Sequence, residues 1–280
     1  MHAAPRRGGC DWEGMLGPTL LLTMAGAMIA LGPLVQGLGR GIGSVLCFVL
    51  SFVALPLFVM GRDRLRSTSR PRRGLIALGA LAGFLNYGLA LALQALPLAA
   101  LGFAPPEPEA LFAGQSRLEQ WSLALAICLV APLCEEFAFR RALQPLFVAR
   151  FTPRLGILLT ALAYAAIHLD VAGFAARVEM GIAFGLLAHW SRSLWPAVAA
   201  HAVHNLVALA CLFVLPSPQS APSADVEARL ALWAFVSAAS TAFVLEGMRR
   251  LQAAPCGPSN DRHAGHVGNA EDKENAPSSV

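Results

Sequence analysis

The sequence predicts an all-α polytopic membrane helix bundle of about eight transmembrane helices, and three observations carry that expectation. The chain is 56% hydrophobic and 14% charged, with mean hydropathy +0.58, whereas soluble domains are about 25% charged. Its apolar residues gather into segments at 14–37, 41–60, 74–96, 121–139, 155–169, 178–190, 194–215 and 228–248. Between them, every loop with several arginines falls on the same side when the segments are counted as spans.

The first segment follows Arg6-Arg7 and contains Ala25-Gly26-Ala27, which invites a reading as a cleaved secretory signal. The apolar run continues to Val35, too long for an ordinary signal core, so we expect a retained span. Segments 41–60, 74–96 and 228–248 are long enough to cross about 30 Å of hydrocarbon at helical rise. Segment 121–139 extends toward Phe147. Segments 155–169 and 178–190 are short and carry polar residues, so each alone also suits a buried helix. Gly79-x-x-x-Gly83 fits close helix packing in lipid. The expected organisation is a cytoplasmic N-terminus at 1–13, a membrane domain at 14–250 and a tail at 251–280. Gly, Pro, Ser, Asn and charge dominate that tail, a composition that reads as disordered.

Arginine placement orients the bundle. The loop with Arg62, Arg64, Arg66, Arg70, Arg72 and Arg73 should face the cytoplasm. Counting from it puts Arg6 and Arg7, the connection with Arg140, Arg141, Arg150 and Arg154, the turn at Arg192, and Arg249-Arg250 on the same side. Glu107, Glu109, Glu119, Asp170, Asp225 and Glu227 fall opposite. An even number of spans with both termini cytoplasmic follows, in a multi-pass protein of a bacterial plasma membrane. The net charge is only +4, with Lys273 the single lysine, and no basic stripe marks a nucleic-acid partner. The six cysteines include no C-x-x-C, so neither a disulfide framework nor a zinc knuckle is expected.

Three polar patterns interrupt the apolar segments: Glu135-Glu136-x-x-x-Arg140, Tyr164-x-x-x-His168 and His201-x-x-x-Asn205. A charged side chain in a span costs about 2.5–3.5 kcal/mol on insertion scales, so intramembrane charge reads as a functional site. Glu136 and Arg140, four apart, share a helical face with the acid on its favourable side. Arg140 can therefore neutralise Glu136, which leaves Glu135 as a candidate general base for water. His201 and Asn205 also share a face, and both can donate hydrogen bonds while neutral, as a developing oxyanion requires. His189 and His204 read as structural. Glu135, His168 and His201 could instead ligate a divalent metal such as zinc, although no H-E-x-x-H is present. The same charges would also serve a proton-coupled transporter, against which the lack of repeat symmetry and paired broken helices argues.

In this order on successive segments, the three patterns resemble the CAAX prenyl endopeptidase and bacteriocin-processing (CPBP or Abi) family of intramembrane proteases. The resemblance covers a core at 121–215, including Phe184-Gly185-Leu186 and the run Ser193-Leu194-Trp195-Pro196-Ala197. It implies an endopeptidase acting on a membrane-associated protein or peptide. Glu135 would activate water with help from His168, His201 and Asn205 would form the oxyanion site, and Glu136 and Arg140 would shape it. Arg141 stands where the family usually has glycine, and Tyr164 where phenylalanine is common. A non-catalytic immunity or assembly factor of the same fold is the remaining alternative, which the complete set of catalytic residue types disfavours.

Overall fold

The computed structural model describes residues 12–63, 65, 72–100, 112–214 and 224–253. The expected tail from 254 onward, the N-terminal arginines, most of the basic loop and most of the two acidic or proline-bearing loops lie outside the described residues; positions 251–253, expected in the tail, close the last helix instead. Within them the chain is helical and has no strand. Eight helices can be numbered: α1 Trp12–Val35, α2 Arg40–Met60, α3 Arg73–Ala100, α4 Arg117–Arg150, α5 Pro153–Ile167, α6 Phe174–Ser191, α7 Trp195–Val214 and α8 Ala224–Ala253. Six of them (α1, α2, α3, α4, α7 and α8) are long and apolar enough to cross a membrane. The two shorter ones, α5 and α6, correspond to the two segments whose polar content already set them apart. They form a hairpin, so counting both as spans or neither leaves α4 and α7 in the same relative orientation.

Two apolar cores divide the bundle. One is built by α3, α6, α7 and α8 around Ala82, Phe184, Leu187, Ala197, Ala200 and Met248. The other joins α1, α2, α4 and α5 around Leu20, Met24, Phe52, Phe139, Leu143 and Tyr164. Small residues let backbones meet in the first core. A Cβ on Gly79 would collide with the backbone of Pro196, and one on Gly83 with that of Ala200, so the two glycines seat α7 directly on α3. Gly181 does the same on the other side of α6, where an added Cβ would sit 2.8 Å from Ala161 Cα.

The second core is shaped by prolines. Helices α2 and α4 contain wide π-helical stretches at Leu50–Ala54, Ala126–Val130 and Phe137–Leu143. Each precedes a proline (Pro56, Pro132 and Pro145) and contains the residue four positions before it. A proline has no N–H for that carbonyl and its ring presses on it; a locally wider turn relieves both problems. The third stretch begins immediately after Glu136 and contains Arg140. A capping box between Ser116 and Glu119 starts α4, and Thr152 caps α5 ahead of Pro153. Cys47, Cys128, Cys134 and Cys211 are free thiols.

Candidate active site

Glu135 lies about 27 Å along α4 from Arg117 and about 22 Å from Arg150 at helical rise, so α4 carries its acidic pair near mid-length. Both carboxylates are buried, as are Arg140 and His201. The pair faces the junction between the two cores, and its partners come from both.

Glu136 is the fully enclosed member. Its Oε1 accepts from His201 Nδ1 at 2.9 Å, and its Oε2 lies 3.2 Å from Arg140 Nε. The second contact is an ion pair without the alignment of a hydrogen bond. Arg140 reaches across the junction, donating from Nη2 to the Gly181 carbonyl at 3.2 Å. Its guanidinium carbon lies 4.9 Å from the Tyr164 ring centre and 5.8 Å from that of Phe184. With Phe139 at 6.0 Å as a third ring, that arginine is held by one carboxylate, one carbonyl and three aromatic rings, an arrangement that suits a planar cation better than a lysine.

Glu135 is held differently. Its Oε2 is buried and accepts no hydrogen bond from the described protein groups. It faces His168 Nε2 at 4.0 Å and His201 Nε2 at 3.9 Å. Both imidazoles are oriented through their other nitrogen: His168 Nδ1 donates to the Tyr164 carbonyl at 2.7 Å, and His201 Nδ1 to Glu136. A hydrogen bond of that kind fixes the tautomer. In the neutral rings it leaves Nε2 unprotonated on both, turned toward the same carboxylate oxygen. Separations near 4 Å exceed a direct hydrogen bond and match groups that share a bridging water.

The structure places the remaining sequence-derived candidates as follows. His168 closes α5 as its C-cap, and Leu169 follows in the left-handed region with φ 52°. That ending brings His168 level with His201, although the two stand at unequal distances from the ends of their helices. Asn205 Nδ2 donates to the Ile127 carbonyl at 2.9 Å, one helical turn beyond His201, so it ties α7 to the first π-helical stretch of α4. Buried His204 packs edge-on to Tyr87 and Phe184, away from the acidic pair. Arg141 Nε donates to the Leu65 carbonyl at 2.8 Å, which anchors the segment after α2 against α4. At the rim, Arg177 holds Asp170 at 2.6 Å and Gly173 N–H donates to the same carboxylate. Burial alone would raise the Asp170 pKa, but these partners outweigh it and hold the carboxyl below its ordinary range.

Two polar residues inside the helices, the buried Asn86 and the half-buried Glu179, escaped the sequence reading. Asn86 of α3 donates to Glu179 of α6 at 2.9 Å, far from the acidic pair in sequence and on the face of α6 that meets α3. Both interrupt apolar segments, the same signal that marked Glu135. Among the described residues, no group of three or more His, Cys, Asp or Glu side chains is gathered as a metal site. Glu135 Oε2 and the two Nε2 atoms have the donor chemistry zinc takes without being drawn together around one.

Residues 117–207 match the family model described as Rce1-like, type II CAAX prenyl endopeptidase Rce1-like. The matched stretch starts with α4 and ends within α7, so it includes Glu135, Glu136, Arg140, Tyr164, His168, His201 and Asn205. Neither a curated protein nor a solved structure matches the chain.

Proposed function

We propose that this chain, whose residues 117–207 match the Rce1-like type II CAAX prenyl endopeptidase model, is a glutamate-dependent intramembrane endopeptidase. That match supports a CAAX-protease-type endopeptidase, and six helices long and apolar enough to cross a membrane support a multi-pass protein. The observation that carries the finer reading is Glu135 Oε2, buried without a donor among the described residues and faced by two imidazole Nε2 atoms at 3.9 and 4.0 Å.

A water in that space would give one proton to Glu135 and direct its other hydrogen to His168 Nε2. The resulting hydroxide attacks the scissile carbonyl carbon and forms a tetrahedral oxyanion. Collapse breaks the C–N bond as Glu135 returns its proton to the leaving amine. A positioned acid or base of this kind contributes about 10²–10⁴-fold. Asn205 spends one amide hydrogen on Ile127 and keeps its second for the oxyanion, while His201, its hydrogen on Nδ1 and given to Glu136, lines the same space with an acceptor at Nε2. Glu136 and Arg140 hold His201 and join the two cores. Zinc bound by Glu135, His168 and His201 would supply a polarised water, and no step above needs it. A proton-coupled transporter would use the same charges without cleaving a peptide.

The test is co-expression with prenylated proteins, leader peptides and anchored surface proteins, with termini mapped by mass spectrometry. Glu135→Gln should fold, insert and release no product, because the amide keeps the shape and cannot take water's proton. Near-normal turnover by that variant would remove Glu135 as the base. Activity abolished by a chelator and restored by zinc would transfer the role to a metal.

The arginine distribution supports an orientation with both termini in the cytoplasm, and we place the protein in a bacterial plasma membrane as part of the same proposal. Single cysteines placed in the 251–280 tail should resist labelling from outside in a background without native thiols. Labelling of the tail from the outer face would overturn that orientation.

A further inference from the structure

The ring of Tyr164 has an evident structural task and its hydroxyl does not. The ring lies under Arg140, meets Phe139 edge-on at 5.3 Å and His168 at 4.9 Å between centroids. A phenylalanine would make all of those contacts. The side chain is only 2% exposed, and burying a hydroxyl without a good partner is unfavourable, so buried tyrosines normally find one. Here the partner is His201 Nε2 at 3.5 Å, which is long for an O–H donor, whose usual distance is about 2.7–2.8 Å. The hydroxyl is thus buried and aimed at the site, and only weakly engaged.

The tautomer of His201 gives that contact its meaning. With its one hydrogen on Nδ1 and donated to Glu136, neutral His201 presents a bare acceptor at Nε2. It has no hydrogen to offer an oxyanion there. The same Nε2 faces Glu135 Oε2 at 3.9 Å, so the Tyr164 hydroxyl supplies the donor hydrogen at this edge of the reacting space.

We propose that Tyr164 is a catalytic residue of the peptidase read above: its O–H rests on His201 Nε2 and turns to donate to the oxyanion as the tetrahedral intermediate forms. The turn is a rotation about the Cζ–O bond and needs no heavy-atom movement. Tyr164 keeps its proton throughout; Glu135 carries the proton taken from water. The proposal rests on the glutamate-dependent reading, and its test separates the two.

The experiment is steady-state cleavage of a membrane-tethered substrate by purified full-length wild type, Tyr164→Phe and Glu135→Gln in one detergent or nanodisc preparation, with a thermal melt of each. Tyr164→Phe should melt like wild type and keep its KM while kcat falls about 10²-fold, the scale of one lost oxyanion donor. Difluorotyrosine at position 164 should restore activity and move the alkaline limb of kcat to lower pH, because a phenol that ionises earlier stops donating earlier. A merely structural ring would move neither the alkaline limb nor kcat. Wild-type kcat in a folded Tyr164→Phe overturns the proposal while leaving Glu135 in place. If the phenylalanine variant fails to fold, an unmoved alkaline limb in the difluorotyrosine protein overturns it instead. Turnover by Glu135→Gln, or none by wild type, overturns the peptidase reading and this inference with it.

Discussion

The two cores of the bundle are built by opposite means. Around α3 and α7, glycines bring backbone against backbone: Gly79 and Gly83 leave no room for a Cβ beside Pro196 and Ala200. Around α1, α2 and α4, large side chains such as Phe52, Phe139 and Met24 fill the space, and prolines impose wide turns on the helices. The difference separates two duties. The glycine-packed core holds His201 on a platform with little freedom to shift, because Ala200 is the residue Gly83 touches. The proline-shaped core lets α4 depart from a regular helix just where Glu136 and Arg140 must reach across to α7 and α6. The acidic pair sits where the glycine-packed half meets the proline-shaped one.

The largest expected effect comes from cutting the link between the halves. Arg140→Ala removes the cation beside Glu136 and the bond to Gly181, leaving a buried carboxylate without its counter-charge. Breaking a buried pair in this way costs about 3–5 kcal/mol. Chemical denaturation in mixed micelles should show that loss together with lost cleavage, and Arg140→Lys should rescue only in part, since an ammonium cannot reproduce the guanidinium fork. Full stability in Arg140→Ala would mean that the halves are joined by something else.

A smaller effect should follow from disturbing the platform. Gly83→Val forces α7 away from α3, at a cost of about 1–3 kcal/mol for overpacking, and should lower kcat by displacing His201. The matched control is Gly26→Ala in α1, where an added Cβ meets nothing within 4 Å. Only 11% of the apolar window in that helix is buried, against 44% in α3, which carries Gly83. There the substitution should leave activity unchanged and shift stability by no more than about 1 kcal/mol, in the direction of helix propensity. Equal damage from both would erase the contrast between a packed and a lipid-facing surface.

Much of the arrangement was legible because the bilayer penalises polar groups. Glu135, Glu136, Arg140, His168, His201 and Asn205 stood out against apolar neighbours, and helical spacing grouped Glu136 with Arg140. Helix existence followed from segment length, and the shortness of α5 and α6 was visible as well. What the sequence withheld is how the helices are rotated against one another. Once α4 widens at Ala126–Val130 and Phe137–Leu143, counting residues per turn no longer says which face meets which neighbour. The bond from Glu136 to His201, the tie from Asn205 to Ile127 and the approach of Tyr164 to His201 Nε2 are all consequences of that rotation. Asn86 and Glu179 were legible by the same polar signal; their pairing across α3 and α6 was not.

In the proposed reading, Glu135 performs hydrolysis rather than carrying protons for transport. That role is tested most directly by reconstituting wild type and Glu135→Gln in liposomes and following, in the same preparation, cleavage of a membrane-tethered substrate and pH-driven solute or ion flux. Wild type should cleave, Glu135→Gln should not, and neither should show flux above protein-free liposomes. Flux that disappears in Glu135→Gln, with no substrate cleaved by wild type, would make Glu135 a proton carrier and not a hydrolytic base.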